Sequence, residues 1–246
     1  MPSTFLQLTN RLLRRLNEVE ISESDFMSVT GIQSTAKNCI LDSINEINLD
    51  HTDWPFNAVQ HTQTLEIGIE EYAWPSNFTM ADWASFQLLA DDTLNIKSQR
   101  LHSIAREEWY MFLKDRDDDA AANGIRRPTY VAPSHGWGFA VSPSPDKEYP
   151  IRYRYYKQPV TPENYNDQVT IPDRYDYVIM AGALYHLNIF KENAEAAQLA
   201  EARFRQGLAQ MSKVLLPNND HMFTPAMNSG SSQRKYNNYV FTGYNP

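Results

Sequence analysis

Histidines and acidic residues most often hold metal ions in proteins. In this chain their spacing does not match a metal-binding motif. The histidines are His51, His61, His102, His135, His186 and His221. No two of them stand three or four residues apart, so the chain contains no helical zinc motif and no zinc finger. An acidic run between Asp115 and Asp119 resembles the start of a calcium-binding loop. Because Ala120 and Arg126 occupy the positions that need glycine and glutamate, we predict an exposed acidic loop and no metal site.

The sequence contains no complete motif for nucleophilic catalysis either. Ser144 and Lys147 match a serine-x-x-lysine string, but two prolines flank the serine, whereas a catalytic serine of this kind begins a buried helix. The string Gly136-Trp137-Gly138 lacks the third glycine and the following helix of a phosphate-binding loop. The single cysteine, Cys39, has no histidine partner that the sequence identifies. The sequence therefore predicts no catalytic residue, no cofactor and no metal.

Charge and paired carboxylates define two further possibilities, a hydrolase and a DNA-binding factor. Glu107 and Glu108 lie on a predicted short helix with aromatic neighbours, and a cell-wall hydrolase would need such carboxylates in a cleft. Arg11, Arg14 and Arg15 form a dense basic patch of the type that a DNA-binding factor uses. The net charge of the chain is −8, however, whereas proteins that grip phosphates by charge are basic. Specific nucleic-acid binding is therefore disfavoured.

Composition indicates a globular protein with a substantial core. The chain has 246 residues, of which 42% are hydrophobic and 21% are charged. No apolar run approaches the roughly 20 residues that cross a bilayer. The N-terminus has no apolar stretch before a cleavage site, and one cysteine allows no disulfide within the chain. We therefore expect a protein that is made and kept in the cytoplasm, with no membrane partner.

Hydrophobic spacing predicts two helices near the N-terminus and two near the C-terminus. The first covers residues 4–19, with Thr4 and Gln7 as a capping box, and the second covers residues 34–49, with Ser34 as its N-cap. The third, over residues 177–190, is apolar on nearly every side, which predicts burial all round. The fourth begins at residue 193 or 194 and ends before Pro217. The stripes of the first, second and fourth helices are Phe5, Leu8, Leu12, Leu16 and Val19; Ala36, Ile40, Ile44 and Ile47; and Leu199, Phe204, Leu208, Met211 and Leu215.

The middle of the chain, from residue 59 to about residue 160, favours strands and turns. The clearest strand is at residues 149–158, where Ile151, Tyr153 and Tyr155 alternate with more polar positions. Looser patterns predict strands at residues 62–67, 83–89, 93–101 and 127–141. A turn is predicted at Tyr72-Ala73-Trp74-Pro75, with the tryptophan as an anchor, and a short helix at residues 104–114.

Together these elements predict an α+β fold, namely a helical bundle built from both chain ends with an inserted β-rich domain and an extended C-terminal tail. The predicted boundaries are residues 1–58 and 171–216 for the bundle, 59–170 for the insert and 217–246 for the tail. One buried cluster is expected to contain Leu12, Leu16, Ile40, Ile44, Leu184, Phe204 and Leu208.

The predicted tail mixes residues that cannot build a core with residues that favour interfaces. Asparagine, serine and glycine dominate it, which indicates a segment without a fold of its own. Its aromatic residues suit anchors on another chain, and Tyr239-Val240-Phe241-Thr242 suits a strand added to an exposed sheet edge. The predicted partner-binding residues are Phe223, Arg234, Tyr236, Tyr239, Phe241 and Tyr244.

The order of these elements resembles the head-to-tail adaptors of tailed, in particular short-tailed, bacteriophages, also called tail tubular protein A. The first resembling strings are FLQLTNRLLRRLNE at residues 5–18 and the segment 36–57, which ends in DWPFN. The others are YAWP at residues 72–75, VSPSPD at 141–146 and IPDRYDYVI at 171–179. The likeness spans most of the chain as an order of elements, although this chain has a longer β-rich insert and tail than the short adaptors.

The resemblance implies a virion structural protein at the head–tail junction, without enzymatic activity or cofactor. Adaptors of this family form a ring, usually of twelve copies, between the portal protein and a tail nozzle or tail tube. Genomic DNA passes through the ring without specific binding, which suits the acidic net charge. The alternatives are another tail-completion or tail-terminator protein, a tail-associated cell-wall hydrolase, and the DNA-binding factor mentioned above.

Overall fold

A computed structural model describes residues 3–91, 97–114 and 125–216, apart from the side chains of residues 112–114. The helices are α1 (Phe5–Arg15), α2 (Ile32–Asp50), the short α3 (Arg106–Glu108), which continues as a π-helical segment over Trp109–Lys114, α4 (Asp176–Phe190) and α5 (Ala194–Leu215). The strands are β1 (Ala58–Leu65), β2 (Glu71–Ala73), β3 (Phe78–Leu88), β4 (Gln99–Arg100), β5 (His102–Ser103), β6 (Tyr130–Pro133), β7 (Gly138–Ser142) and β8 (Tyr149–Lys157). The mixed α+β class is therefore confirmed.

Helix α1 begins as predicted but ends four residues early. Thr4 is the N-cap, and its hydroxyl accepts from the Gln7 N–H while the Gln7 side chain accepts from the Thr4 N–H, which completes the capping box. Beyond the cap at Leu16, Asn17 adopts a positive φ of 57°, a left-handed conformation that stops a helix. Val19 therefore lies outside the helix and is 77% exposed, so its assignment to the buried stripe was wrong.

Helix α2 carries the predicted stripe but starts earlier than predicted. Gly31, at φ 62°, occupies the N-cap position and the helix begins at Ile32, so the prediction of Ser34 as the N-cap was wrong. A glycine tolerates this left-handed backbone without the steric penalty that a side chain would bring. The buried residues of α2 include the whole predicted stripe, and Cys39 is buried beside it.

Helices α4 and α5 form a hairpin whose outer surface is more exposed than predicted. Phe204, Leu208 and Met211 of α5 are buried as expected, but Leu199 is exposed, so its place in the stripe was wrong. Helix α4 is not buried all round either, because Phe190 at its C-terminal end is exposed. Small residues on α5, among them Ala197, Ala200 and Gly207, are buried where Leu199 was expected to be.

Helices from both ends of the chain contribute to one hydrophobic cluster. Five of the seven residues expected in it are buried there, and Leu16 and Leu184 pack against it partly exposed. Helices α2 and α4 run parallel, because Ser43 donates to the Ile179 carbonyl at 2.9 Å while Glu46, further along α2, lies beside the later α4 residue His186. The bundle arrangement and the domain boundaries remain predictions.

The β-rich part contains two four-stranded sheets that share a core. The first has the strand order β1-β8-β3-β4 and the second β2-β7-β6-β5, with only the β5–β6 pair parallel among the described strands. Their common cluster includes Phe86 and Tyr153 from the first sheet and Phe139 and Val141 from the second. The alternation predicted for residues 149–158 is confirmed, because Ile151, Tyr153 and Tyr155 all point into this core.

Three details of the β-rich part differ from the sequence-based expectations. The single strand predicted at residues 127–141 is two strands, β6 and β7, joined by a turn that contains Gly136 and Trp137. Tyr72 and Ala73 belong to β2, so the predicted turn there was wrong, although Trp74 is the expected aromatic anchor and stacks on Phe78 with ring centroids 4.1 Å apart. Of the strand predicted at residues 93–101, the structure describes only the two-residue β4, because residues 92–96 are outside the described part.

Candidate interaction surfaces

The residues whose types suggested catalysis either hold loops together or lie exposed at the surface. The Ser144 hydroxyl donates to Glu70 Oε1 at 2.7 Å in the short link between β7 and β8, which confirms that the serine–lysine string is a turn. Glu107 and Glu108 are exposed on the three-residue α3. The two carboxylates on which the hydrolase alternative was based are therefore not enclosed.

The part of the chain that the structure describes gives no support for a metal site or for a reactive cysteine. Within residues 3–91, 97–114 and 125–216 no cluster of three or more His, Cys, Asp or Glu side chains could hold a metal ion. The acidic run from Asp115 to Asp119 lies outside the described residues. Burial, followed by the nearby charge of Asp42, raises the pKa of the Cys39 thiol to about 11. The thiol is therefore protonated at neutral pH and a poor nucleophile.

The arginine patch on α1 mostly makes intramolecular ion pairs. Arg11 Nη1 lies 2.8 Å from Asp176 Oδ2, and the Ser3 hydroxyl donates to the same oxygen at 2.6 Å. Asp176 is buried, so these two contacts supply the partners that a buried carboxylate needs. Arg14 Nε lies 3.6 Å from Glu20 Oε1 at the surface. Arg11 and Arg14 are thus paired. Arg11 ties the middle of α1, and Ser3 the segment just before α1, to the start of α4.

A second arginine cluster, which the sequence analysis missed, lies on the polar face of the first sheet. Arg152 and Arg154 of β8 and Arg100 of β4 line a groove of about 450 Å³. Arg154 Nη2 lies 2.5 Å from Asp82 Oδ2, and Arg152 donates to the neutral Gln87 Oε1 at 3.2 Å. The two-residue spacing of Arg152 and Arg154 was a visible signal, since they occupy the polar positions of the predicted strand. The contribution of Arg100 depends on the β3–β4 pairing, which the sequence did not indicate.

A second groove lies between the C-terminal end of α2 and the two sheets, and we call it the interlayer groove. It has a volume of about 570 Å³, and its walls include Leu49, Phe78, Trp137 and Pro159. Leu49 is 82% exposed and Trp137 is 71% exposed, values that are high for such large apolar side chains. The Trp137 ring packs edge-on against Phe78 at 5.8 Å, so this wall is braced by the aromatic core of the sheets.

Asn57, one of the residues around the interlayer groove, carries a buried hydrogen-bond acceptor. Asn57, 2% exposed, donates through Nδ2 to Asn48 Oδ1 at 3.1 Å, and Asn48 in turn donates to the Ile44 carbonyl. The Asn57 Oδ1 atom is buried and has no hydrogen-bond partner among the described residues. A buried acceptor without a donor costs about 1–3 kcal/mol. This cost falls on the fold itself, because the oxygen is buried, and the groove surface combines apolar residues with polar ones such as Lys157 and Gln158.

The backbone next to Trp137 leads to a testable prediction about Gly138. A Cβ atom at position 138 would lie 2.1 Å from the Tyr72 carbonyl oxygen, because β2 and β7 approach closely there. We expect Gly138→Ala to force these strands apart and to lower the free energy of unfolding by about 1–3 kcal/mol. Urea unfolding followed by circular dichroism measures this change.

Gly136 supplies the matched control for that prediction. A Cβ atom at position 136 would meet only the Ser134 hydroxyl, at 3.9 Å, which is ordinary van der Waals contact. Gly136→Ala should therefore leave stability nearly unchanged. Equal losses for the two variants would contradict the close approach of β2 and β7.

Other exposed apolar side chains lie on the hairpin of α4 and α5. They are Tyr177, Ile189, Phe190, Leu199 and Val214. No described helix is both long enough and apolar enough to cross a membrane. The predicted partner-binding residues of the tail, Phe223, Arg234, Tyr236, Tyr239, Phe241 and Tyr244, lie outside the described residues. Their role therefore remains a prediction.

Comparison with known proteins places the chain in a family. A search of curated proteins gave no significant match to this chain. The family model described as "SU10 adaptor protein" matches residues 3–228, which include both helical ends, both sheets and the start of the predicted tail. The expectation of a phage adaptor, drawn above from the order of elements, is thereby confirmed at the level of the family. The chain belongs to the SU10 adaptor protein family of phage adaptors.

Proposed function

We propose that this chain is a head-to-tail adaptor, a virion structural protein that joins the portal protein to the tail. Membership in an adaptor family is the observation that carries the proposal. The sequence resemblance adds the finer assignment, a tail tubular protein A-like adaptor of a short-tailed phage. The surroundings of Ser144, Glu107, Glu108 and Cys39 support a purely structural role.

The adaptor acts as a closed ring, of twelve copies by the resemblance. A ring built from head-to-tail contacts needs two different adhesive faces on each subunit. The exposed apolar residues of the α4–α5 hairpin and the interlayer groove supply two separate apolar surfaces of this kind. We also propose that the acidic run near Asp115 and the basic surface near Arg14 and Arg15 form complementary rims between neighbouring subunits.

We propose that different parts of the chain have different tasks. The helices of residues 1–58 and 171–216 form a bundle, and their shared cluster supports this division. Residues 59–170 form the β-rich domain, and the common core of the two sheets supports it. Genomic DNA passes through the ring without specific binding, and the net charge of −8 favours such a passage because it repels phosphates.

The tail, residues 217–246, makes contact with other chains. Phe223, Arg234, Tyr236, Tyr239, Phe241 and Tyr244 are its proposed partner-binding residues. Aromatic and arginine side chains contribute most of the binding energy in protein interfaces, which makes them better anchors than the surrounding asparagines.

The test is the mass of the native assembly, measured by native mass spectrometry with and without the portal protein of the same phage. We expect a ring alone or on the portal, and a stable complex between the two. A chain that remains monomeric and ignores the portal at micromolar concentration would overturn the proposal. A complex with a tail tube but not with the portal would favour a tail-completion or tail-terminator protein.

A further inference from the structure

We propose that the groove on the polar face of the first sheet is a docking site for the acidic connector of a neighbouring copy of this chain. The groove is the one lined by Arg100, Arg152 and Arg154, and we call it the arginine groove. The acidic connector is the segment 18–25, which lies between α1 and α2. The inference rests on the proposed function, because it assumes that copies of the chain contact one another. It adds a specific pair of surfaces for that contact.

Strand register places the arginines of the groove on one face of the first sheet. Arg152 on β8 pairs with Gln87 on β3, and Gln87 pairs with Arg100 on β4. Because paired residues on neighbouring strands point to the same face, these three side chains form a row across the sheet. Arg154, two residues after Arg152, points to this face as well. The opposite face carries Tyr153 and belongs to the buried core.

The lining of the arginine groove carries an excess of positive charge. It contains three arginines, whereas Asp82 is the single acidic residue among the described residues that line it. Asp82 pairs with Arg154, so the other two arginines have no carboxylate in the groove. Arg152 donates to the neutral Gln87 Oε1 at 3.2 Å, which orients the guanidinium without cancelling its charge. Guanidinium groups held in this way bind carboxylates through paired N–H donors.

An irregularity in β3 shapes the arginine groove. Between Asp82 and Gln87, the register of β3 against β8 shifts, and Ala84 and Ser85 of this stretch line the groove. The Ser85 hydroxyl donates to the Asp82 carbonyl at 2.6 Å and accepts from the Arg154 N–H at 2.8 Å. These bonds fix the wall of the groove before a partner arrives, which reduces the entropy that binding would cost.

The acidic connector supplies the opposite charge. Four of its eight residues are acidic and exposed, and none is lysine or arginine. The four are Glu18, Glu20, Glu23 and Asp25. Glu20 lies near Arg14 of its own copy, at 3.6 Å. Within the described residues no ion pair joins the connector to the arginine groove, so a contact between the two surfaces has to form between copies. Such a contact between unlike surfaces is the kind that closes a ring.

The acidic connector is anchored on both sides of its tip. Ile21 and Phe26 are buried against the helices. Asn10 of α1 accepts from the Ile21 N–H at 2.8 Å and donates to the Ile21 carbonyl at 2.9 Å. Lys37 of α2 donates to the Phe26 carbonyl at 2.7 Å. The carboxylates between these anchors are therefore presented at fixed positions, which favours a specific contact.

A protein partner fits the arginine groove better than the phosphates of DNA. The net charge of −8 repels a long polyanion, whereas a short connector brings only a few carboxylates. The connector also carries Val19, which is exposed beside the acidic residues. An apolar side chain gains from being covered by another protein surface, and the phosphate backbone of DNA offers no such cover.

Mixing two charge-reversed variants of the full-length chain tests the proposal. The groove variant carries Arg100→Glu and Arg152→Glu, and the connector variant carries Glu18→Lys and Glu23→Lys. Each variant alone brings like charges together at the contact. We therefore expect its self-association, measured by sedimentation velocity, to be weaker than that of the wild type by about tenfold or more. In an equimolar mixture every altered surface finds a complementary one on the other variant, so the mixture should regain most of the wild-type association.

Two controls accompany the mixing experiment. Arg106→Glu with Lys147→Glu makes the same change in charge at exposed positions outside both surfaces, and should leave self-association unchanged. Circular dichroism checks that each variant is folded. If Arg152→Glu disturbs β8, Arg100→Glu alone, at an exposed position, should still weaken self-association, although less.

Three results would overturn the proposal. They are a wild-type chain that does not self-associate, variants that associate as well as the wild type, and a mixture that does not recover. Loss of binding to a short DNA duplex in the groove variant, with unchanged self-association, would assign the groove to nucleic acid and would also overturn it. Portal binding is measured separately, so this contact can fail while the adaptor assignment stands.

Discussion

Replacing Phe204 with alanine is expected to lower the free energy of unfolding by about 3–5 kcal/mol, the usual cost of removing a fully buried phenylalanine. Phe204 is 0% exposed and lies where three helices meet. A Cβ atom on Gly182 would be only 2.9 Å from the Phe204 ring and 2.3 Å from the Ser43 hydroxyl, which shows how closely α2, α4 and α5 approach there. The cavity left by the ring cannot collapse readily, because the helix backbones are already in close contact.

Urea unfolding monitored by circular dichroism at the helical band measures this loss. Leu199→Ala on the same helix is the matched control, because Leu199 is exposed and its truncation should change stability by less than about 0.5 kcal/mol. Phe204→Leu should fall between the two. A loss below about 1 kcal/mol for Phe204→Ala would mean that α5 does not pack on the helices of the N-terminal part.

Truncation after Leu216 is expected to abolish docking to the portal or tail while leaving the fold intact. The described helices and the two larger hydrophobic clusters lie within residues 3–216, so we expect the helical content to remain unchanged. The proposed tail anchors, which include Tyr239, Phe241 and Tyr244, would all be lost. We expect the affinity for the portal to fall by at least a hundredfold, about 2.7 kcal/mol, in a pull-down or light-scattering assay.

A full-length variant with Tyr239→Ser, Phe241→Ser and Tyr244→Ser separates two explanations of a loss of docking. If the anchors bind the partner, this full-length variant should lose docking as completely as the truncated chain does. Normal docking of both variants would show that the tail is dispensable. Normal docking of the triple variant alone would place the contact elsewhere in residues 217–246.

The sequence predicted the elements best where local chemistry decides them. The capping box of Thr4 and Gln7, the stripe of α2 and the alternation of β8 each depend on side chains close in the chain, and all three were confirmed. The errors at helix ends had backbone causes. Asn17 stops α1 with a positive φ and Gly31 starts α2 with one, and neither residue type announces its conformation.

Tertiary contacts decided what the sequence left open. Leu199 looks like a core residue by its spacing, yet α4 packs on the small residues of α5, and this turns Leu199 towards solvent. The interlayer groove was not predictable at all, because Leu49, Phe78, Trp137 and Pro159 come from four separate segments. The family assignment succeeded for a different reason, since it rested on the order of elements along the chain.

Image reconstruction of the head–tail junction in virions that contain this chain would test the central claim most directly. The account predicts a closed ring of copies of this chain, twelve by the resemblance, directly between the portal and the tail. The helices and sheets described above should fit each subunit of that ring. Density for a single copy at the junction, or for this chain elsewhere in the virion, would contradict the adaptor assignment.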